Sequence, residues 1–302
     1  MKKILMTAIT LIIFFVPLAV SAADSATEKL IQMERDTYGS EQLGAILDRL
    51  NRLEKDYSGK NMTGNLNVRI DSVYEILYGN IGTPSIFAKM NAIEWNAYNE
   101  VSSGNIRERL NKLERGILGE ISSGSLIKRI NDVTQASFGN GQIPLVEMQL
   151  PKDVLIKVAI DERVGSRTLQ VGDLVDIKVA ENVFIDGKLI FVKGMPGKGK
   201  VEKVRKAKGW MGKNGKILID FYTLNCIDGK HLDIYVGEES KKEMTNQGMI
   251  KGASLVGLDL NDDWHKIIIR GKNIELSAGT ELYVQIEKPV SLYALQLENK
   301  ID

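Results

Sequence analysis

The residues that could do chemistry are few and scattered. The 302-residue chain holds two histidines, His231 and His265, and one cysteine, Cys226. Asp262-Asp263-Trp264-His265 would offer two carboxylates and an imidazole to a metal, but adjacent residues of a strand point to opposite faces, so the run reads as a polar loop and no metal site is expected. Cys226 lies next to the Asp228-Gly229 turn with no base beside it to take its proton, which describes a buried or inert thiol rather than a nucleophile. Being alone, it cannot form a disulfide within the chain, and no two-cysteine redox or metal motif is present. The glycines of "GKVEKVRKAKGWMGKNG" (199–215) lack the closing Gly-Lys-Ser/Thr of a phosphate loop. No catalytic residue and no cofactor is expected. A hydrolase would have to gather a histidine, an acid and a serine or cysteine around one pocket.

Two sets of cations remain. Lys200, Lys203, Arg205, Lys206, Lys208 and Lys213 surround Trp210 in that glycine-rich stretch, as in a basic hairpin that touches an anionic envelope polymer. The plainer reading is a solvated hairpin whose lysines protect a strand edge. Arg49, Arg69, Lys89, Arg109 and Arg129 recur every 20 residues. They could form a cationic ladder, or each could pair with an acid on a neighbouring helix, Glu54, Glu94 and Glu114 being the recurring acids; the second reading is favoured. Asn51, Asp71, Asn91, Asn111 and Asn131 recur as well, as contacts or as hydrogen bonds between helices.

The ladder belongs to a repeated phrase: "GAILDRLNRLEKDYSG" at 44, "GNLNVRIDSVYEILYG" at 64, "GNIRERLNKLERGILG" at 104 and "GSLIKRINDVTQASFG" at 124, with a divergent copy from Pro84 and a shorter one at 30–39. Apolar residues fall at intervals of four, three and four, as at Ile106, Leu110, Leu113 and Ile117, which marks one stripe of an α-helix. Thr63, Thr83, Ser103 and Ser123 are the expected N-caps, with Pro84 at the first helical position. Gly59, Gly79, Gly119 and Gly139 are the expected left-handed ends. A helix of about 14 residues is marginal alone, so each copy must lean on the next, with antiparallel neighbours the expectation.

Beyond Gly139-Asn-Gly-Gln-Ile-Pro144 the period changes to two. Strands are expected at 154–160, 174–180, 216–224, 231–236, 266–270 and 281–286, with hairpin turns at Asp186-Gly187 and Asp228-Gly229. The fold class is therefore α+β in two domains. A helical repeat domain at 24–139, with units starting near 24, 44, 64, 84, 104 and 124, is followed by a linker at 140–150 and an all-β sandwich or barrel at 151–302.

The order of phrases from Leu150 to Val204 is similar to a β-domain of bacterial exported envelope proteins. It resembles more distantly the C-terminal β-domain of the outer-membrane core subunit of type IV secretion and conjugation systems. The shared features are Ser166 after the first strand, Asn182-Val183, the Lys193-Gly194 turn, the Asp228-Gly229 hairpin and "IELSAGTELYVQI" (274–286). The resemblance implies a β-architecture and an envelope setting. The helices by which the secretion subunit crosses the outer membrane have no counterpart, since Lys251 and Asp259 interrupt "MIKGASLVGLDL".

Lys2 and Lys3, an apolar run from Ile4 to Val20 and Ser21-Ala22-Ala23 make a secretory signal peptide, assigned to residues 1–22, the alternative being an uncleaved anchor. Its removal turns 40 basic against 39 acidic residues into 38 against 39, a net charge of −1 that does not point to nucleic acid. The expectation is a non-enzymatic, exported cell-envelope protein. Its helical scaffold meets a protein partner, its β-domain docks or binds a ligand such as an anionic envelope polymer, and its mature chain has no transmembrane segment. The rival readings are a subunit of a secretion- or conjugation-like envelope machine and an unrecognised hydrolase.

Overall fold

The computed structural model describes residues 22–80, 82–207, 215–246, 266–271 and 274–297. The expected signal peptide lies outside them except for Ala22, and so do Lys208, Trp210, Lys213 and the Asp262–His265 run.

Six helices come first: α1 (Ala22–Tyr38), α2 (Ile46–Ser58), α3 (Leu66–Tyr78), α4 (Ile86–Tyr98), α5 (Ile106–Ile117) and α6 (Leu126–Ser137). Their stripes meet in one core that includes Leu30, Leu50, Ile70, Met90, Leu110 and Ile130. The N-caps fall two residues later than the hydroxyls expected from sequence. The side chains of Asn65, Ser85, Asn105 and Ser125 accept from the amides of Val68, Ala88, Glu108 and Lys128. The shift has a backbone cause: Gly64 and Gly104 bend the chain at φ of 120° and 116°, and the cap must follow that bend. Pro84 accordingly precedes the cap of α4 rather than starting the helix. At the other ends Gly59 and Gly119 are left-handed and Asn99 takes that role for α4, whereas Gly79 has φ of −71° and α6 ends at an extended Phe138.

The helices do not form a row in which each touches only its sequence neighbours. α1 also packs on α3 and α5, α2 on α6, and α4 on α6, which winds the repeats into a closed bundle. Tyr57 Oη lies 2.7 Å from Thr37 Oγ1, and Tyr78 Oη donates to Asp36 Oδ2 at 2.6 Å. A helix with four large apolar residues on a stripe offers more surface than one neighbour covers, and winding lets two or three neighbours share it.

The strands follow: β1 (Leu145–Leu150), β2 (Leu155–Ile160), β3 (Val164–Gly165), β4 (Leu174–Val179), β5 (Val183–Ile185), β6 (Lys188–Phe191), β7 (Pro196–Arg205), β8 (Gly215–Asn225) and β9 (His231–Tyr235). After α7 (Glu238–Asn246) come β10 (Ile267–Gly271), β11 (Glu275–Leu276), β12 (Glu281–Ile286) and β13 (Val290–Gln296). Strands β8-β7-β4-β2-β12-β9 pair antiparallel in that order, and β9 pairs back onto β8, so the six close into a barrel. A second sheet, β1-β13-β6-β5, packs its apolar residues into the same core as the barrel. β1 occupies residues expected to be linker: "LVEMQL" pairs along its whole length with β13, which shortens the connection.

Candidate binding cleft between bundle and barrel

The ladder residues hold the bundle together. Arg49 donates from Nε and Nη2 to Glu34 at 2.9 and 2.7 Å, and Arg109 does the same to Glu94 at 3.0 and 2.8 Å. Arg69 grips Glu54 and Arg129 grips Glu114 in the same two-pronged way. Asn51, Asn91 and Asn111 each accept a further bond from the same guanidinium. Three of the carboxylates also accept a loop amide, from Gln42, Met62 and Ser102. All four acids are fully buried, so the cost of desolvating them is met by complete hydrogen bonding. The series breaks at α3 to α4, because Tyr74 stands where a glutamate would be and Lys89 has no ion pair among the described residues.

That break coincides with the helix that meets the barrel. Ala92 and Trp95 of α4 are buried in the strand core rather than the helical one. Asn91 spans both modules, accepting from Arg109 Nη2 at 2.6 Å and donating to the carbonyl of Ile227 at 3.0 Å. Ser85 Oγ and Asn80 Nδ2 donate to the carbonyl of Asp228. The Asp228 carboxylate, fully buried, accepts from the amides of Lys230 and Tyr293 at 3.0 Å each, from Cys226 Sγ at 2.9 Å and from Asn80 Nδ2 at 3.2 Å. Gly229 has φ of 83°, and a Cβ there would lie 2.5 Å from Phe87 Cβ, so both the turn and the close approach require glycine.

Beside this junction the two modules enclose a cleft of about 690 Å³, lined by α1, α3, α4, α5, β4, the start of β7, β8, β9 and the loops between them. Asp36, Tyr78 and Arg109 face it from the bundle, and Asp176, Lys178 and His231 from the barrel. Burial raises the Asp36 pKa, an effect reduced by the Tyr78 hydrogen bond and by the charges of His231 and Arg109. The surrounding protein lowers the His231 pKa, Asp36 opposes that and Lys198 adds to it; part of the ring stays exposed to solvent, which moderates all three. His231 Nδ1 is 2.6 Å from Asn225 Oδ1, so with the amide so oriented Nδ1 carries the proton.

Ser102, Ser103 and Cys226 line the same cleft. Among the described residues none of them is hydrogen-bonded to His231, and Ser102 Oγ instead accepts from Lys112 Nζ at 3.2 Å. Cys226 is buried, and burial together with the Asp228 charge pushes its pKa well up, which keeps it a thiol. No group of three or more His, Cys, Asp or Glu among the described residues is placed to hold a metal.

The basic hairpin stands apart from that lining. Lys200, Lys203 and Arg205 are exposed on β7, and Lys206 follows them. Register puts Lys198 opposite Asp176 and Lys200 opposite Asp220, so acids flank the first part of the ridge. Arg205 is opposite Lys216, and positive charge gathers towards the tip. Gly197 and Gly199 pack under Leu224 and Phe221, which accounts for them as close-packing residues. Asp36, Tyr78 and Asn225 carry no local signal in the sequence, because each looks like any solvent-facing polar residue until the fold sets them around one cavity.

No family model matches the chain, and no curated protein matches it. Among solved structures it is similar to ComB10 of the Com type IV secretion system of Helicobacter pylori, at 14% identity over 47% of this chain and 89% of that one, with a TM-score of 0.27. Among the described residues no helix is long and apolar enough to cross a membrane.

Proposed function

We propose that this is a non-catalytic, exported binding protein of the cell envelope, in which bundle and barrel act as one receptor and the cleft between them takes a segment of a protein partner. The observation that supports it is the rigid junction: Asn80, Ser85 and Asn91 tie α4 to the Asp228 turn through hydrogen bonds, so both walls are fixed before a ligand arrives. A cavity of about 690 Å³ suits a small molecule or a few peptide side chains. Lys178 is paired with Asp161 and Arg109 with Glu94, which leaves Asp36, Asp176 and His231 to meet the occupant. That lining favours a cationic or donor-rich segment. An anionic polymer would instead meet the ridge of Lys198, Lys200 and Lys203. The envelope setting rests on the signal peptide read from the sequence.

A hydrolase is the second reading, because Asp36, Ser102, Ser103 and His231 line one cleft. The bonding of His231 to Asn225 rather than to an acid or a nucleophile weighs against it. A secretion-machine subunit rests on the resemblance of the β-domain alone.

The test is a photo-crosslinking residue at Gln32, which lines the cleft, with Phe184 on the exposed face of β5 as control. One protein adduct in cells from position 32, lost in Asp36→Lys, is the expected result. No adduct, or one that persists in Asp36→Lys, would overturn the reading, and ester or peptide turnover abolished by His231→Ala would replace it with the hydrolase.

A further inference from the structure

Three of the repeat helices share one feature: a left-handed glycine from another turn lies against the first turn of the helix. At α5 it is Gly39 (φ 88°), whose Cβ, if present, would sit 3.1 Å from the Asn105 side chain. At α6 it is Gly59 (φ 79°), against Ser125. At α4 it is Gly229 (φ 83°), against Phe87, with the preceding carbonyl on Ser85 Oγ. The first two turns end α1 and α2. The third belongs to the barrel and does for α4 what a helix end does for α5 and α6.

Under each such turn the first helical residue is covered, with Ile86, Ile106 and Leu126 only 4%, 0% and 3% exposed. Among the described residues no turn covers α2 or α3. Their equivalents Ile46 and Leu66 are each 37% exposed, beside Leu43 at 92% and Leu47 at 50%. The bundle therefore has an apolar edge built to the same pattern as three edges that are filled. The chain also carries a turn of the filling type whose glycine is open: at Gly119, after α5, φ is 85° and a Cβ would meet nothing within 4 Å, while Leu118 before it is half-buried against the helical core.

We propose that the α2 edge, Leu43, Ile46 and Leu47, docks the Leu118-Gly119 turn of a second copy of this chain. The occupant is set by the pattern: helix-end turns of this chain already fill the matching position at α5 and α6. Asp48 in the first turn of α2 and Arg115 in the last turn of α5 are both exposed and supply opposite charges at the junction. Edge and turn are different surfaces, so the contact is head-to-tail and leaves one of each free on every pair, giving a ring or an open chain. It does not involve the cleft.

Sedimentation of the mature protein, without its signal peptide, across the micromolar range tests this. The expected result is self-association that Leu47→Glu weakens by about tenfold or more. Asp48→Arg and Arg115→Asp should each weaken it when alone, and mixing the two variants should restore it. The mixing arm does not depend on how Leu47→Glu folds. A chain monomeric throughout would overturn the proposal. So would association indifferent to Leu47→Glu, mixing that restores nothing, or an α2 edge that binds a different protein while the chain stays monomeric.

Discussion

Asn80 Nδ2 lies 3.2 Å from Asp228 Oδ2, a contact between residues 148 apart in the chain. Through it the loop before α4 and the β8–β9 turn become one structure, with the carboxylate fully out of water.

Replacing Asp228 with Ala leaves the amides of Lys230 and Tyr293 without their acceptor and Asn80 Nδ2 with only the carbonyl of residue 228. The expected loss is about 3 kcal/mol of unfolding free energy. Urea denaturation followed by tryptophan fluorescence measures it, and a loss below about 1 kcal/mol would show that water replaces the carboxylate.

The clamps should be cooperative. Glu94→Ala strands Arg109 in a buried position and should cost about 3 kcal/mol, whereas Glu94→Met combined with Arg109→Met should recover most of that. A double-mutant cycle in which the two costs simply add would mean that the pair contributes no coupling.

Gly229 and Gly187 offer a controlled comparison, with φ of 83° and 73°. Ala at Gly187 meets open space and should cost only the left-handed strain, about 1 kcal/mol. Ala at Gly229 meets Phe87 in addition and should cost at least about twice as much, with the junction rather than the barrel loosened first. Hydrogen exchange of α4 amides reads that loosening; equal costs at the two sites would contradict the packing argument.

The cleft should respond to pH. A histidine whose folded pKa is lowered contributes stability that is fully present above its ordinary value of 6.5 and is lost as pH falls through the lowered one. Asp36, with its pKa raised, acts in the opposite sense: its contribution is present below 3.8 and fades as pH rises through the folded value. His231→Gln should flatten the loss of stability on acidification below neutrality. NMR titration should place the His231 pKa below 6.5 and lower still in Asp36→Asn, which removes the opposing charge. A rise in Asp36→Asn would mean the two groups do not sense each other.

Periodicity made the repeats and several strands legible, because a stripe at intervals of four and three or an alternation of two is a local property of the chain. The Asp186-Gly187 and Asp228-Gly229 turns were legible for the same reason, as both need left-handed residues. β1 and β13 were not, since β1 falls in residues that read as linker and the pattern of each becomes distinctive only once a partner strand sets the register, while β5 and β6 were implied only by the Asp186-Gly187 turn between them. α7 carries few apolar residues and packs on β12, so nothing in its own sequence marked it.

The sequence by itself determined that helices of one length recur with one apolar face and that a pleated module follows them, since each requires only the preferences of neighbouring residues. Only the tertiary structure decided that the helices wind shut, that the Arg ladder faces inward onto Glu34, Glu54, Glu94 and Glu114, and that Asp36 and His231 share a cleft. Those are contacts between residues distant along the chain, fixed by how much apolar surface the packed modules remove from water and by which buried polar groups must then find partners.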